Sequence, residues 1–356
     1  MKNKTKIKVI DLFCGIGGLS HGFVKENIDV VAGFDIDETC KYPYEENNNA
    51  KFIHKDIRQV QKEEISKLFG KADIKILVGC APCQPFSTYA FKSPDKSKDL
   101  EEAKWGLLHE FARLIKDVKP EIVSMENVPG LAKFEKSHVF KDFMKILEIN
   151  SYYIDYKIIN CPDYGIPQQR KRLVLLASRL GKISIMGQTH TPKNYKTVKD
   201  AIGFLEPIES GQISENDPIH RAAKLSDLNL TRIRQSKQGG SWKDWDESLL
   251  LECHKKSSGN SYRSVYGRMR WSEPAPTMTT FCTGIGNGRF GHPDQDRAIS
   301  LREAALIQTF PIEYKFVKEG ESVNTSNLST HIGNAVPVDL GKVIAKSIKF
   351  HLQSWK

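Results

Sequence analysis

Through the first half of the chain, short apolar runs alternate with helical patterns, and each run ends in glycine or polar residues. "IKVIDLF" reads as a strand, "GGLSHGFVKEN" as a glycine turn opening a helix, and "DVVAGFDID" as the next strand. "IKILVGC", "PEIVSMENV" and "RLVLLAS" are strand-like, while "LLHEFARLIKDV" and "HVFKDFMKILEI" carry apolar residues at 3–4 spacing. Such alternation predicts an α/β fold with parallel strands and ligands bound at the strand C-termini. From about Lys182 to Pro293 the pattern gives way to scattered Gly, Pro, Ser and Trp, with short β-like pieces such as "APTMTTF". That stretch reads as a second, irregular, substrate-facing domain. Beyond it, "SLREAALIQTF" and the amphipathic "VDLGKVIAKSIKFHLQ" read as helices, the last expected to pack back on the first sheet.

Composition narrows the function classes. At 356 residues, 39% hydrophobic and 27% charged, the chain has the makeup of a soluble protein of two domains, or of one large domain with an insertion. No apolar run approaches a membrane span, and "DLFCGIGG" follows the basic N-terminus at once, leaving no signal-peptide core. A cytoplasmic location is expected. The net charge of +10 favours a polyanionic partner. Seven scattered cysteines, an odd number, argue against a disulfide framework.

"DLFCGIGG" lies between a strand and a helix, where glycines let backbone approach a ligand beside a helix N-terminus. The spacing is Gly15-x-Gly17-Gly18, with Ser20 where a dinucleotide fingerprint carries its third glycine. Asp35 ends the next strand, at the distance where a carboxylate takes ribose hydroxyls, and Asp56 follows a third strand and suits an adenine amino group. These residues point to an adenosine-containing cofactor without separating a nicotinamide dinucleotide from S-adenosylmethionine.

"GCAPCQPFS" presents Cys80 and Cys83 with Pro82 between them. A zinc site would need a second pair, and Cys253–His254 lacks ligand spacing. A redox dithiol would need a helix after Cys83, whereas "QPFSTYAFKSPDKSKD" reads as a mobile basic loop. The third reading makes Cys83 a lone nucleophile at a strand mouth, with Glu126 of "MENV" as proton donor. Arg170 and Arg172 of "PQQRKRLVLL" then serve to bind an anionic substrate.

Taken in order, "DLFCGIGGLS", "FDID", "KDI", "GCAPCQPFS", "MENVPG", "DYGIPQQRKRLVLLA", "GRMRWSEPAPTMTT", "RFGHPDQDRAISLREAALIQTFP" and "HIGNAVPV" resemble the bacterial DNA cytosine-5 methyltransferases over nearly the full length. The resemblance implies a class I S-adenosylmethionine-dependent methyltransferase fold, a Rossmann-like α/β architecture with a mixed, mostly parallel sheet. Residues 1–185, completed by 330–356, would form the catalytic domain, and 186–329 the smaller, irregular target-recognition domain. DNA is expected in a basic cleft between them.

The resemblance also implies roles. Cys83 would add to carbon 6 of a flipped-out cytosine, Glu126 would support protonation at nitrogen 3, Arg172 would contact the base, and Arg170 would help hold the active-site loop and substrate. S-adenosylmethionine would lie against Phe13, Gly15, Ile16, Gly17, Gly18, Asp35, Ile36, Asp56, Ile57, Pro82, Leu107 and Asn334. Gln84, Ser87 and Lys92 belong to a loop suited to close over the DNA backbone. Arg232, Arg234, Lys237 and Arg263 lie where the family varies with its target, as do Arg221 and Lys243. Duplex DNA is the implied partner, accompanied in a restriction-modification system by an endonuclease acting on the same site, and a monomer suffices for the chemistry. Cys80 is expected to be a small, packed strand-end residue. An RNA cytosine methyltransferase on the same scaffold, a cytosine-binding module without catalysis, and a nicotinamide or redox enzyme are the competing readings.

Overall fold

A computed structural model of the chain describes residues 5–82, 98–133, 138–256 and 263–355. The chain divides into two units. One comprises Met1–Asn160, Lys171–Gln188 and Val336–Lys356, and the other Cys161–Arg170 and Thr189–Ala335.

The first unit is built on a seven-stranded sheet. Its strands are β1 (Ile7–Leu12), β2 (Asp29–Asp35), β3 (Lys51–His54), β4 (Ile74–Gly79), β5 (Ile122–Asn127) and β6 (Tyr153–Asn160), with β8 (Lys171–Ser178) following a two-residue β7 (Gln168–Gln169) of the second unit. The spatial order is β3-β2-β1-β4-β5-β8-β6. β3 to β5 run parallel, and β8 runs antiparallel to both β5 and β6. The expected α/β class and mixed, mostly parallel sheet are therefore found. β6 is a strand that the alternation did not mark, because its exposed edge carries Tyr153, Asp155, Tyr156 and Lys157 among its apolar residues.

Strand order reverses between β1 and β4, which stay paired to Leu12 and Gly79, so the chain leaves their C-terminal ends toward opposite edges of the sheet, the place where this architecture binds ligands. β5 is buried along its whole length, the signature of a central strand covered on both faces. On one face Ile10, Leu12, Leu77, Met125 and Leu175 pack against Phe111, Ile115 and Phe143 of helices Lys98–Val118 and His138–Ile149. The first of these helices begins at Lys98, so the last two residues of the expected irregular run, Lys98 and Asp99, are helical; residues 83–97 lie outside the described residues.

On the other face, helix Gly18–Lys25 packs against the C-terminal helix Val338–Ser354. The two backbones meet so closely at Gly22 that a Cβ there would stand 2.4 Å from the Gly341 carbonyl carbon. The C-terminal helix also reaches the sheet, where Ser178 Oγ of β8 and His351 Nε2 lie 2.7 Å apart. It therefore packs back on the first sheet as its amphipathic pattern predicts.

The second unit has little regular structure, as its composition suggested. β7 pairs with a two-residue strand β9 (Ala275–Pro276), all that "APTMTTF" contributes to a sheet. A small cluster of Ile233, Ile285 and Ala298 is buried, with Leu225 and Tyr266 against it. Buried cations supply the rest of the order. Arg268 donates to the carbonyls of Ser236 and His292 at 2.9 and 3.0 Å and pairs with Asp296. "SLREAALIQTF" forms helix Leu301–Ile307, opened by a capping box between Ser300 and Glu303.

Candidate active site

The glycine loop leaves β1 through three left-handed residues, Phe13, Gly15 and Gly17, with φ of 64°, 49° and 88°. Two of the three are glycine, for which this region costs nothing; Phe13 is held there by packing on the main core. Gly17 precedes helix Gly18–Lys25 without any side-chain cap, so the first N–H groups of the helix keep their capacity for a ligand. Asp35 closes the loop from β2: its Oδ2 accepts from Gly15 N at 2.8 Å and its Oδ1 from Asp37 N at 3.0 Å. Beside it Ile36 is 64% exposed, an apolar surface suited to an adenine ring. A Cβ placed on Gly15 would meet nothing within 4 Å, so the loop borders open space. Room, backbone donors, a carboxylate and an apolar face together fit an adenosine-type cofactor.

The remaining expected cofactor residues are placed as follows. Ile16 and Ile57 are buried, Leu107 is half-buried against the core, and Gly18 begins the helix. Pro82 is exposed just past β4. Asp56 caps a single 3-10 turn and is held by Arg58, whose Nε lies 3.0 Å from both carboxylate oxygens. Those Arg58 hydrogen bonds bring the Asp56 carboxyl below its usual value. Asn334, in the second unit, is exposed at the end of helix Thr325–Asn334.

Under the loop lies a residue that the sequence reading passed over. Asp11 of β1 is fully buried, and Ser20 Oγ donates to its Oδ2 at 2.7 Å while Tyr44 Oη lies 3.1 Å from Ser20 Oγ. Burial raises the Asp11 carboxyl to about 7, against the lowering effect of the Ser20 hydrogen bond. A carboxyl raised in the folded state stabilises the fold fully below its unfolded value of 3.8, and that stabilisation is lost as pH rises through about 7. The loss approaches about 4 kcal/mol at the roughly 1.4 kcal/mol that each pH unit represents. Asp11→Asn removes the ionisation, so the variant should gain stability relative to wild type between pH 5 and pH 8. Urea midpoints at the two pH values check this, and an unchanged difference would refute it.

Glu126 stands at the C-terminal end of β5, next to the end of β4. It is 2% exposed. Arg172 Nε from β8 lies 2.9 Å from its Oε1, and Cys80 Sγ lies 2.7 Å from its Oε2. Neighbouring Asn127 donates from Nδ2 to the Ala81 carbonyl at 3.1 Å. Arg172 also donates to the Lys171 carbonyl and remains 15% exposed, so its guanidinium retains access to a ligand. Cys80 lies at the strand end as expected, but it is half-buried and contacts the carboxylate. Cys83, Gln84, Ser87 and Lys92 lie outside the described residues. By contrast, burial pushes the thiols of Cys14 and Cys40 well up, and that of Cys282 to about 11, which keeps them protonated and unreactive.

Arg170 belongs to the second unit, 3% exposed, and donates to the carbonyls of Met278 and Ala335 at 3.0 and 3.3 Å. Arg232 is likewise turned inward: its Nε donates to the Leu249 carbonyl at 3.0 Å, and its guanidinium stands 5.4 Å from the Trp245 ring centre. Arg234 is exposed and 3.1 Å from Asp296, and Lys237 and Arg263 are exposed. Nothing in the local sequence separates Arg232 from Arg234; the two lie on opposite sides of helix Asp227–Gln235, and only the packing of Trp245 and Tyr266 selects which faces inward.

Comparison with known proteins bears directly on this arrangement. Residues 7–350 match the model of the C-5 cytosine-specific DNA methylases. The chain is 55% identical to the Type II methylase M.HgiDII of Herpetosiphon aurantiacus, across 97% of this chain and 96% of that one. A solved E. coli chain, described as a prophage-encoded DNA modification methyltransferase, matches its fold with a TM-score of 0.74 at 22% identity, over 98% of this chain and 99% of the other. The Entamoeba histolytica methyltransferase EhMeth matches with a TM-score of 0.68 at 20% identity, over 98% and 99% of the two chains. The match covers both the glycine loop and the Glu126–Arg172 pair, and the chain belongs to the C-5 cytosine-specific DNA methylase family.

Proposed function

We propose that the enzyme methylates carbon 5 of a flipped-out cytosine in a specific duplex DNA site, through a covalent adduct with Cys83. The observation that carries this reading is Glu126, a buried carboxylate held between Arg172 and Cys80 at the end of the strand beside the one leading into Cys83. Attack on carbon 6 comes from above the ring plane, which stacking blocks, so the base must leave the helix. The Cys83 sulfur, as thiolate, forms a bond to carbon 6. Glu126 carries the proton that nitrogen 3 takes up, which keeps negative charge off the ring and leaves an enamine nucleophilic at carbon 5. S-adenosylmethionine, held by the glycine loop, Asp35 and Ile36, supplies the methyl group when bound. Solvent water then takes the carbon-5 proton, the ring double bond re-forms as Cys83 leaves as thiolate, and nitrogen 3 returns its proton to Glu126. Arg172 steadies Glu126 and offers its exposed edge to the base.

Arg234, Lys237 and Arg263, exposed in the second unit, are the cations that suit DNA phosphates or base edges, together with Gln84, Ser87 and Lys92. The reading carries with it action as a monomer in the cytoplasm, paired with an endonuclease cutting the same site. No helix among the described residues is long and apolar enough to cross a membrane. Methyl-labelled S-adenosylmethionine offered with duplex DNA or with tRNA tests the reading. Label should enter duplex DNA alone, and base-resolution mapping should place it on cytosine carbon 5 within one recurring sequence. Label in tRNA instead would favour the RNA enzyme.

A further inference from the structure

Resting on the role proposed for Glu126, we infer that Cys80 is a positioning residue for that carboxylate, holding one of its oxygens while the other works on the base. Cys80 follows β4 directly, 46 residues before Glu126, and the two meet because β4 and β5 are neighbours in register. A sulfur and a carboxylate oxygen 2.7 Å apart are too close for neither to carry a proton, since their lone pairs and charges would repel. The thiol S–H lies between them, donating to Oε2.

The two oxygens of Glu126 thus have different partners. Oε1 faces the Arg172 charge at 2.9 Å but makes no aligned hydrogen bond, so its lone pairs keep bonding capacity. Oε2 is engaged by Cys80. Together the contacts fix the rotation of the carboxylate plane, which a single ion pair would leave loose. The following residues repeat the tie, Asn127 to the Ala81 carbonyl, so the chain entering Cys83 is fastened to β5 at two successive positions.

Cys80→Ala removes the donor, and Cys80→Ser restores a donor at the same carbon. A hydrogen bond to a charged group is worth roughly 1.5–3 kcal/mol, and the lower end corresponds to about tenfold in rate. In methyl transfer to duplex DNA, Cys80→Ala should lower kcat about tenfold and leave KM for S-adenosylmethionine unchanged. Cys80→Ser should recover kcat to within about threefold of wild type. Urea midpoints of both variants should match wild type. Wild-type kcat in Cys80→Ala, an equally slow Cys80→Ser, or a loss that tracks a lowered urea midpoint would each overturn the inference. Cys83→Ser run in the same assay separates the two levels. If it is dead while Cys80→Ala is unaffected, only the role of Cys80 falls; if it turns over, the adduct reading itself fails.

Discussion

Cys83→Ser should abolish methyl transfer while leaving DNA binding intact. The proposed adduct forms by attack of an anionic side chain on carbon 6, and a thiol with an ordinary pKa of about 8.5 supplies a usable fraction of thiolate near neutral pH. A serine hydroxyl does not ionise in that range and is the poorer nucleophile. Duplex DNA carrying 5-fluorocytosine reads the adduct itself. Fluorine at carbon 5 leaves no proton to remove, so wild-type enzyme should stay bonded to the DNA through denaturing electrophoresis. Cys83→Ser should show retarded DNA on a native gel and no band surviving denaturation. Substantial turnover by the variant, or a surviving adduct, would take Cys83 out of its role.

Breaking the Arg297–Glu303 pair should cost about 3–5 kcal/mol of stability, the usual consequence of leaving one buried charge without its partner. Both side chains are essentially inaccessible, and the guanidinium grips the carboxylate through two parallel hydrogen bonds of 2.7 Å. Arg297 Nε also donates to the Ile208 carbonyl at 3.0 Å, and Glu303 accepts from Ser300 N at 2.7 Å in the capping box. Burial works to raise the Glu303 carboxyl, but the hydrogen bonds and charge of Arg297 prevail and bring it below its ordinary value. His292 stands 3.7 Å away, and burial drives it down to about 4, so it stays neutral and does not substitute for the arginine at neutral pH. Arg297→Met or Glu303→Gln should each lower the urea midpoint sharply. Arg297→Met with Glu303→Leu should cost less than the sum of the single changes, because no charge is left stranded. Additive losses would show that the pair is not coupled.

The features readable along the chain were those whose physics is local. The apolar periods marked β1, β2, β4, β5 and β8, "SLREAALIQTF" marked a helix, and the glycines of "DLFCGIGG" marked a turn between strand and helix. Each depends on residues within a few positions of one another. β6 was missed because an edge strand needs only a partial apolar face, and Tyr153 to Ile158 do not alternate cleanly.

What the sequence by itself determined was the α/β class, the glycine loop, and Glu126 and Arg172 as candidate residues at strand ends. Tertiary structure alone decided which polar side chains are turned inward and which remain exposed. Arg170 and Arg232 look like their neighbours Arg172 and Arg234, yet both are spent on buried carbonyls of the second unit. Asp11 became a buried acid, and Cys80 the partner of Glu126, because parallel pairing of β1, β4 and β5 brings distant strand ends together. The physical reason is the same in each case. A long polar side chain can reach in many directions at similar cost, and the partner it finds is set by elements far away in sequence.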